Sequence, residues 1–201
     1  MSGSDEHEVL ERIGRGLIYS ESEAAFQAPR RRGDLIFEYN QTPPSEGDRR
    51  RELLVAIFGS VGERTILNPP FNAGFGSNVH IGDDFYGNVN LTLVDDVEIH
   101  IGDGVMIAPN VTLTTTGHPV HPSRRVDFAR FSEPIVIEDK VWIGSNAVVL
   151  PAVRIGYGSV VGAGSVVSRD IPPMVVAVGV PARVLRPITD DDLTTRTVVA
   201  E

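Results

Sequence analysis

Apolar residues recur every six positions through much of the chain. From Ile137 the step of six lands on Ile143, Val149, Ile155, Val161 and Val167. A companion series two residues earlier runs Ile135, Val141, Ala147, Val153, Ser159, Ser165 and Ile171, and Gly144, Gly156 and Gly162 directly follow three of the rungs. Upstream the same step appears at Val79, Phe85, Leu91 and Val97 beside Ile81, Leu93 and Ile99. It resumes at Ile101, Ile107 and Leu113 after a slip of two residues. A helix face repeats every 3.6 residues and a strand face every two, and turn signals of a meander fall about 8–12 residues apart, so a period of six fits none of these. It predicts a mainly β chain wound as a hexapeptide β-helix, in which each short strand turns one aliphatic side chain inward and Gly, Asn or Asp takes the corner.

The pattern also divides the chain. Residues 1–60 lack the period and show helical spacing, with Leu53, Leu54, Ile57 and Phe58 on one face after a start at Pro44 and Ser45, which predicts a helical cap. Residues 61–187 carry the coil. Within it, residues 117–134 are polar, proline-bearing and out of register, a loop thrown out from the coil in the kind of place where chemistry tends to sit. Residues 188–201 show no strong pattern and read as an exposed end.

Composition narrows the possible functions. The 27 acidic against 18 basic residues leave a formal net charge of −9, which argues against general affinity for nucleic acid or anionic lipid. The basic runs Arg30–Arg32 and Arg49–Arg51 therefore read as solvated or paired faces. With no cysteine, disulfides, thiolate metal sites and cysteine nucleophiles are excluded. The N-terminus is acidic and polar, unlike a secretory signal, and the apolar stretches fall short of the roughly 18 residues a membrane span needs, so the expected compartment is the cytoplasm.

The sharpest candidate for chemistry is His118, in Thr116-Gly117-His118-Pro119-Val120-His121, where coil gives way to loop. Imidazole changes charge near neutrality and so suits a general base; the plainer reading is a surface-loop histidine. His80, His100, His118 and His121 permit a metal site, but their spacing matches no zinc signature. The glycines Gly156, Gly158 and Gly162 follow the hexad spacing and read as corners rather than a dinucleotide loop. Trp142, between the inward rungs Val141 and Ile143, should project outward as an interface residue or a binding platform. Arg169, Arg183 and Arg186 lie near the coil's end, where guanidinium groups suit a phosphate-bearing ligand.

Together, Gly76-Ser77-Asn78, Asp84-Phe85-Tyr86, Asn88-Val89-Asn90-Leu91-Thr92, Ile107-Ala108-Pro109-Asn110-Val111, the His118 segment, Val141-Trp142-Ile143-Gly144 and Asp170-Ile171-Pro172-Pro173 resemble the galactoside and maltose O-acetyltransferases over roughly residues 8–187. The resemblance implies a left-handed parallel β-helix, a homotrimer with active sites between subunits, acetyl-CoA as co-substrate and a sugar or glycoside acceptor, with no metal, nucleic acid or membrane partner. It makes His118 the general base in a direct transfer and Asn88 the donor at the reacting acetyl group, with Asp96, Glu21, Gly74 and Arg130 on the acceptor. It lays Ser145, Ala163, Ser168, Arg169, Arg183, Arg186 and Trp142 along CoA. Three of these positions depart from the galactoside enzyme: Gly74 replaces a hydroxyl side chain, Glu21 an aspartate and Arg130 an apolar residue, so the acceptor is the open half. An amine acceptor on the same fold, a metal hydratase resembling the γ-class carbonic anhydrases and a non-catalytic binding scaffold are the alternatives.

Overall fold

The computed structural model describes residues 3–30 and 32–194. Its centre is a three-sided parallel β-helix. One face stacks Ser60–Val61, Val79–Ile81, Ile99–Ile101, Ile135–Ile137 and Arg154–Ile155; the second starts at Ile66–Leu67 and passes through Tyr86–Gly87, Met106–Ile107, Trp142–Ile143 and Val160–Val161 to Val175–Gly179. The third stacks Phe71–Ala73, Leu91–Val94, Thr112–Thr114, Val148–Val149 and Val166–Val167. Strands of two to five residues suffice because each backbone edge is met by the turn before and the turn after. The six-step rungs, including Ile143, Val149, Ile155, Val161 and Val167, are fully buried in one continuous core.

The slip of two residues has a structural cause. Val136 faces Arg154, 18 residues on, whereas Val79 faces Ile99, 20 residues on, and Ile99 faces Ile135, 36 residues on. The extra residues all fall at one edge, where the third face turns into the first: residues 74–78, then 95–98, then 115–134. Val97 is consequently not a rung of the coil. Ile99 takes that place, and Val97 turns outward to pack on a second small cluster of Val9, Ile13, Tyr19 and Ala24.

Among the described residues three α-helices precede the coil: α1 (Gly3–Gly14), α2 (Gly33–Gln41) and α3 (Gly47–Ile57). Helix α3 begins after Pro44 and Ser45 rather than at them, because Glu46 N–H donates to Pro43 C=O and makes the pair the centre of a turn. Helices α2 and α3 stopper the coil. Tyr39 packs edge-on against Phe71 with centroids 5.3 Å apart, and its hydroxyl donates to Leu67 C=O at 2.6 Å. Asn40 closes a two-way bond with the Phe71 backbone, satisfying an edge that no further turn covers. The Arg49–Arg51 run is engaged locally: Arg49 pairs with Glu38 and Glu52, Arg50 donates to Thr42 C=O, and Arg51 reaches the carbonyls of Val61 and Gly62.

At the far end Ala182–Pro187 folds back antiparallel on Val175–Gly179. Order continues into the segment read as patternless: Ile188 N–H donates to Met174 C=O, and a 3₁₀ turn at Asp190–Leu193 is anchored by Asp192 on Arg186. Residues 195–201 of that segment lie outside the described residues. Among the described residues no helix is long and apolar enough to cross a membrane.

Neighbouring residues on opposite sides of one strand test the ladder. Ile155→Ala should cost about 2–5 kcal/mol as the lost side chain leaves a cavity. Arg154→Ala, which removes an exposed ion pair to Glu138, should cost under about 1 kcal/mol. Urea midpoints at unchanged slope measure both.

Candidate active site

The widened edge is held open by Asp95. Its fully buried carboxylate accepts from the Gly74 and Phe75 N–H groups through Oδ1 (2.8 and 2.9 Å) and from Gly76 N–H through Oδ2 (2.8 Å). Gly76 sits at φ +79° with Ile57 pressed against the place a Cβ would occupy, so only glycine completes this three-donor nest. The Asn78 amide donates to Asp95 C=O at 2.7 Å and so ties the two insertions together. Burial pushes the Asp95 carboxyl up to about 6 against the opposing pull of the three N–H donors.

Asp96, the next residue, faces the loop. It accepts from the Thr116 hydroxyl; Thr116 Oγ1 lies 2.9 Å from Ser132 Oγ, which lies 2.7 Å from the Tyr19 hydroxyl. Burial raises the Tyr19 phenol, keeping it protonated. Arg130 lies over the Tyr19 ring at 5.4 Å and pairs with Glu21, while the Tyr19 and Arg130 backbones exchange hydrogen bonds of 2.9 and 2.8 Å. Tyr19, Glu21, Phe75, Asp96, Asp127 and Arg130 line a cavity of about 280 Å³. The structure thus gathers Glu21, Asp96 and Arg130. Gly74 stands exposed beside them, supplying a backbone N–H to Asp95.

The excursion is more ordered than a loop. Thr116–Gly117 pairs antiparallel with Phe131–Ser132, and a Cβ on Gly117 would meet the Phe131 ring at 2.6 Å. His118 follows the first strand of this hairpin, exposed, with Nδ1 2.9 Å from Ala129 C=O. A carbonyl only accepts, so Nδ1 carries the proton and Nε2 presents its lone pair to solvent.

A second cluster lies on a different edge, where the second face turns into the third. Asn88 sits there one turn before Ala108. Ala108, Trp142, Ser145, Ala163, Val178 and Leu185 line a mostly apolar cavity of about 520 Å³. Trp142 is exposed on the coil wall. The width of the third face separates this edge from that of His118, so one chain does not bring His118 and Asn88 together.

Ser168 and Arg169 are exposed on the His118 edge, beyond the loop. Arg183 and Arg186 stand on the closing strand Ala182–Pro187, and both oxygens of Asp192 accept from Arg186 at 2.8 Å. The three arginines are therefore not gathered within one chain. The histidines are dispersed too: His80 and His100 stack at 4.9 Å on the first face with His80 on Glu98, while His118 and His121 occupy the loop. Among the described residues no group of three or more His, Asp or Glu side chains is placed to hold a metal ion.

Thr116, Ser132, Tyr19, Asp95 and Asp127 were not singled out from the sequence as site residues. For Asp95 and Thr116 the slip of two residues is a signal, since it marks where the coil has room for a site; Tyr19, Ser132 and Asp127 have none.

Residues 14–62 match the family described as maltose acetyltransferase hexapeptide capping motif, and residues 134–169 match bacterial transferase hexapeptide (six repeats). The galactoside O-acetyltransferase of Escherichia coli (strain K12) is 50% identical over 185 residues, covering 92% of this chain and 91% of its own. A solved galactoside acetyltransferase in complex with coenzyme A superposes with a TM-score of 0.89 at 48% identity over 94% of each chain. A maltose O-acetyltransferase from Clostridium difficile 630 gives 0.84 at 36% identity, covering 90% of this chain and 97% of that one.

Asp95 makes the stability of this edge depend on pH. Its folded pKa, about 6, lies above the ordinary carboxylate value, so the folded state holds the proton more tightly. Its contribution is fully present below about pH 4 and is lost as pH rises through 6. Measured against Asp95→Asn, which does not titrate, the wild type should lose about 2–3 kcal/mol of relative stability between pH 4 and pH 7. Denaturant unfolding across that range reads the difference.

Proposed function

The chain belongs to the galactoside and maltose O-acetyltransferase family of hexapeptide-repeat proteins, and we propose that it transfers the acetyl group of acetyl-CoA directly to a hydroxyl of a sugar or glycoside. The observation that carries the reading is His118 at the mouth of the loop, its Nδ1 committed to the C=O of Ala129, whose neighbour Arg130 lines a pocket of carboxylate, hydroxyl and guanidinium groups.

His118 Nε2 takes the proton from the acceptor hydroxyl as that oxygen attacks the thioester carbonyl. The Asn88 amide donates to the oxyanion that forms. As the tetrahedral adduct collapses, the C–S bond breaks and the imidazolium returns its proton to the leaving sulfur, so no acyl-enzyme is needed. Asp96, Glu21 and Arg130 orient the acceptor's hydroxyls, and Gly74 leaves room beside them. The small, apolar lining of the cavity at Ala108, Trp142, Ser145 and Ala163 suits a pantetheine arm, with Ser168, Arg169 and Arg183 available to the polar end of CoA. Arg186 would join them through its pairing partner Asp192 giving way or through its remaining donors.

We infer a homotrimer, because His118 and Asn88 lie on different edges of one coil and a neighbouring copy unites them, three sites arising by rotation. Ile66, Tyr86, Met106 and Trp142 form an exposed apolar column in register along the second face, surface that assembly would cover. On this reading residues 1–60 cap the coil and wall the acceptor pocket, while the coil of residues 61–187 presents CoA. Dependence on acetyl-CoA, a metabolite of the cell interior, fits a cytoplasmic enzyme.

His118→Ala should lower turnover by about 10²- to 10⁴-fold with CoA affinity nearly unchanged. Thiol release from acetyl-CoA against galactosides, glucosides, maltose and amino sugars, with calorimetric CoA binding, measures both. Full activity in the variant would remove His118 from the mechanism, and selective acetylation of amino sugars would move the acceptor from hydroxyl to amine.

A further inference from the structure

His118 owes its tautomer to one carbonyl, that of Ala129, and the route by which the chain presents that carbonyl is unusual. The two residues before it, Asp127 (φ 52°) and Phe128 (φ 50°), both lie in the left-handed region. Non-glycine residues reach this region at a cost of about 1–2 kcal/mol each, so a consecutive pair persists only where its surroundings hold it. Apolar packing within the chain does not, since Val126 and Phe128 are 72% and 73% exposed.

What holds the turn is Asp127. Its Oδ2 accepts from the Ser22 hydroxyl and from Ser22 N–H at 3.1 Å, and its own C=O accepts from Glu21 N–H at 3.0 Å. The Ser22 donors also keep the Asp127 carboxyl below the usual carboxylate range. Directly after the turn, Ala129 is buried with its N–H on Val126 C=O at 3.1 Å, and Arg130 rejoins Tyr19 through two backbone bonds. Asp127 thereby clasps the loop to residues 19–22 and aims the Ala129 carbonyl at His118 Nδ1.

We propose that Asp127 is a positioning residue for the transfer reaction: through Ser22 it holds the Asp127–Phe128 turn that sets the Ala129 carbonyl, and through that carbonyl it fixes the Nδ1–H tautomer and ring angle of His118. The inference rests on His118 as the general base. It adds a polar clasp between the cap and the loop as a determinant of the rate.

The test uses the full chain with Asp127→Ala and Asp127→Asn, methyl β-galactoside as the probe acceptor and ¹⁵N-histidine labelling at pH 8. His118→Ala supplies the resonance assignment. Wild-type His118 should show the widely separated nitrogen pair of a single neutral tautomer, with the bonded proton on Nδ1. In Asp127→Ala the pair should move toward the average of two tautomers and kcat should fall about 10- to 100-fold, with KM for acetyl-CoA within about twofold. Asp127→Asn, whose amide oxygen still accepts from Ser22 N–H and which tolerates positive φ, should recover most of both. An unmoved His118 spectrum in Asp127→Ala overturns the proposal whatever the rate. A displaced tautomer with undiminished kcat overturns it by a different route, because the ring would then be held by Asp127 but not serve as the base.

Discussion

Every turn of the coil must stack in register on the one below it, and the rest of the molecule follows from that constraint. Inward aliphatic side chains and the interstrand hydrogen bonds repeat together, so a strand cannot gain a residue without turning its buried side to solvent. Extra residues are absorbed only at an edge between faces. In this chain three successive turns place theirs at the same edge, and the openings line up. The buried Asp95 carboxylate is what such an opening demands, since the looped backbone turns the Phe75 and Gly76 N–H groups inward and each needs an acceptor, with Gly74 N–H shared between Asp95 and Leu93 C=O.

The same edge accounts for the helical cap. Val97, displaced from the coil by the extra residues, becomes the foothold on which Val9, Ile13 and Tyr19 pack. That packing brings Tyr19, Glu21 and Ser22 within reach of the excursion, where Ser132, Arg130 and Asp127 receive them. The pocket is therefore walled by two segments more than 100 residues apart in sequence and held to each other by polar contacts. Polar contacts carry direction as well as energy, and here they decide where a carbonyl points and which nitrogen of His118 holds the proton. The pocket beside the excursion is built from the cap and the loop, whereas the apolar cavity at Ala108, Trp142 and Ser145 is built from the repeat itself.

The coil was legible because a period of six leaves few alternatives and because the inward rungs are the strongest apolar signal in the chain. The two-residue slip is legible as well, although the period of six also lands on Val97: hydropathy records that a valine is apolar, not which of two adjacent cores receives it. His118 stood out by its place at the coil-to-loop junction, and Arg169, Arg183, Arg186 and Trp142 by residue type and position, while Asn88, Asp96, Glu21, Ser145, Ala163 and Ser168 came from family resemblance and not from spacing. Asp127, Tyr19 and Ser132 carried no signal, being ordinary residues whose role arises only when distant segments meet.

By itself the sequence determined the repeat, its inward residues, the place where it breaks and the absence of cysteine chemistry, because these depend on side-chain type and near-neighbour spacing along one chain. Tertiary structure alone decided that the breaks stack into one edge, that Asp95 faces inward while Asp96 faces the loop, that Arg186 pairs with Asp192, and that His118 and Asn88 occupy different edges. Those outcomes turn on direction and on contacts between residues far apart in the chain. A linear pattern holds no information about direction until the turns are wound on one another.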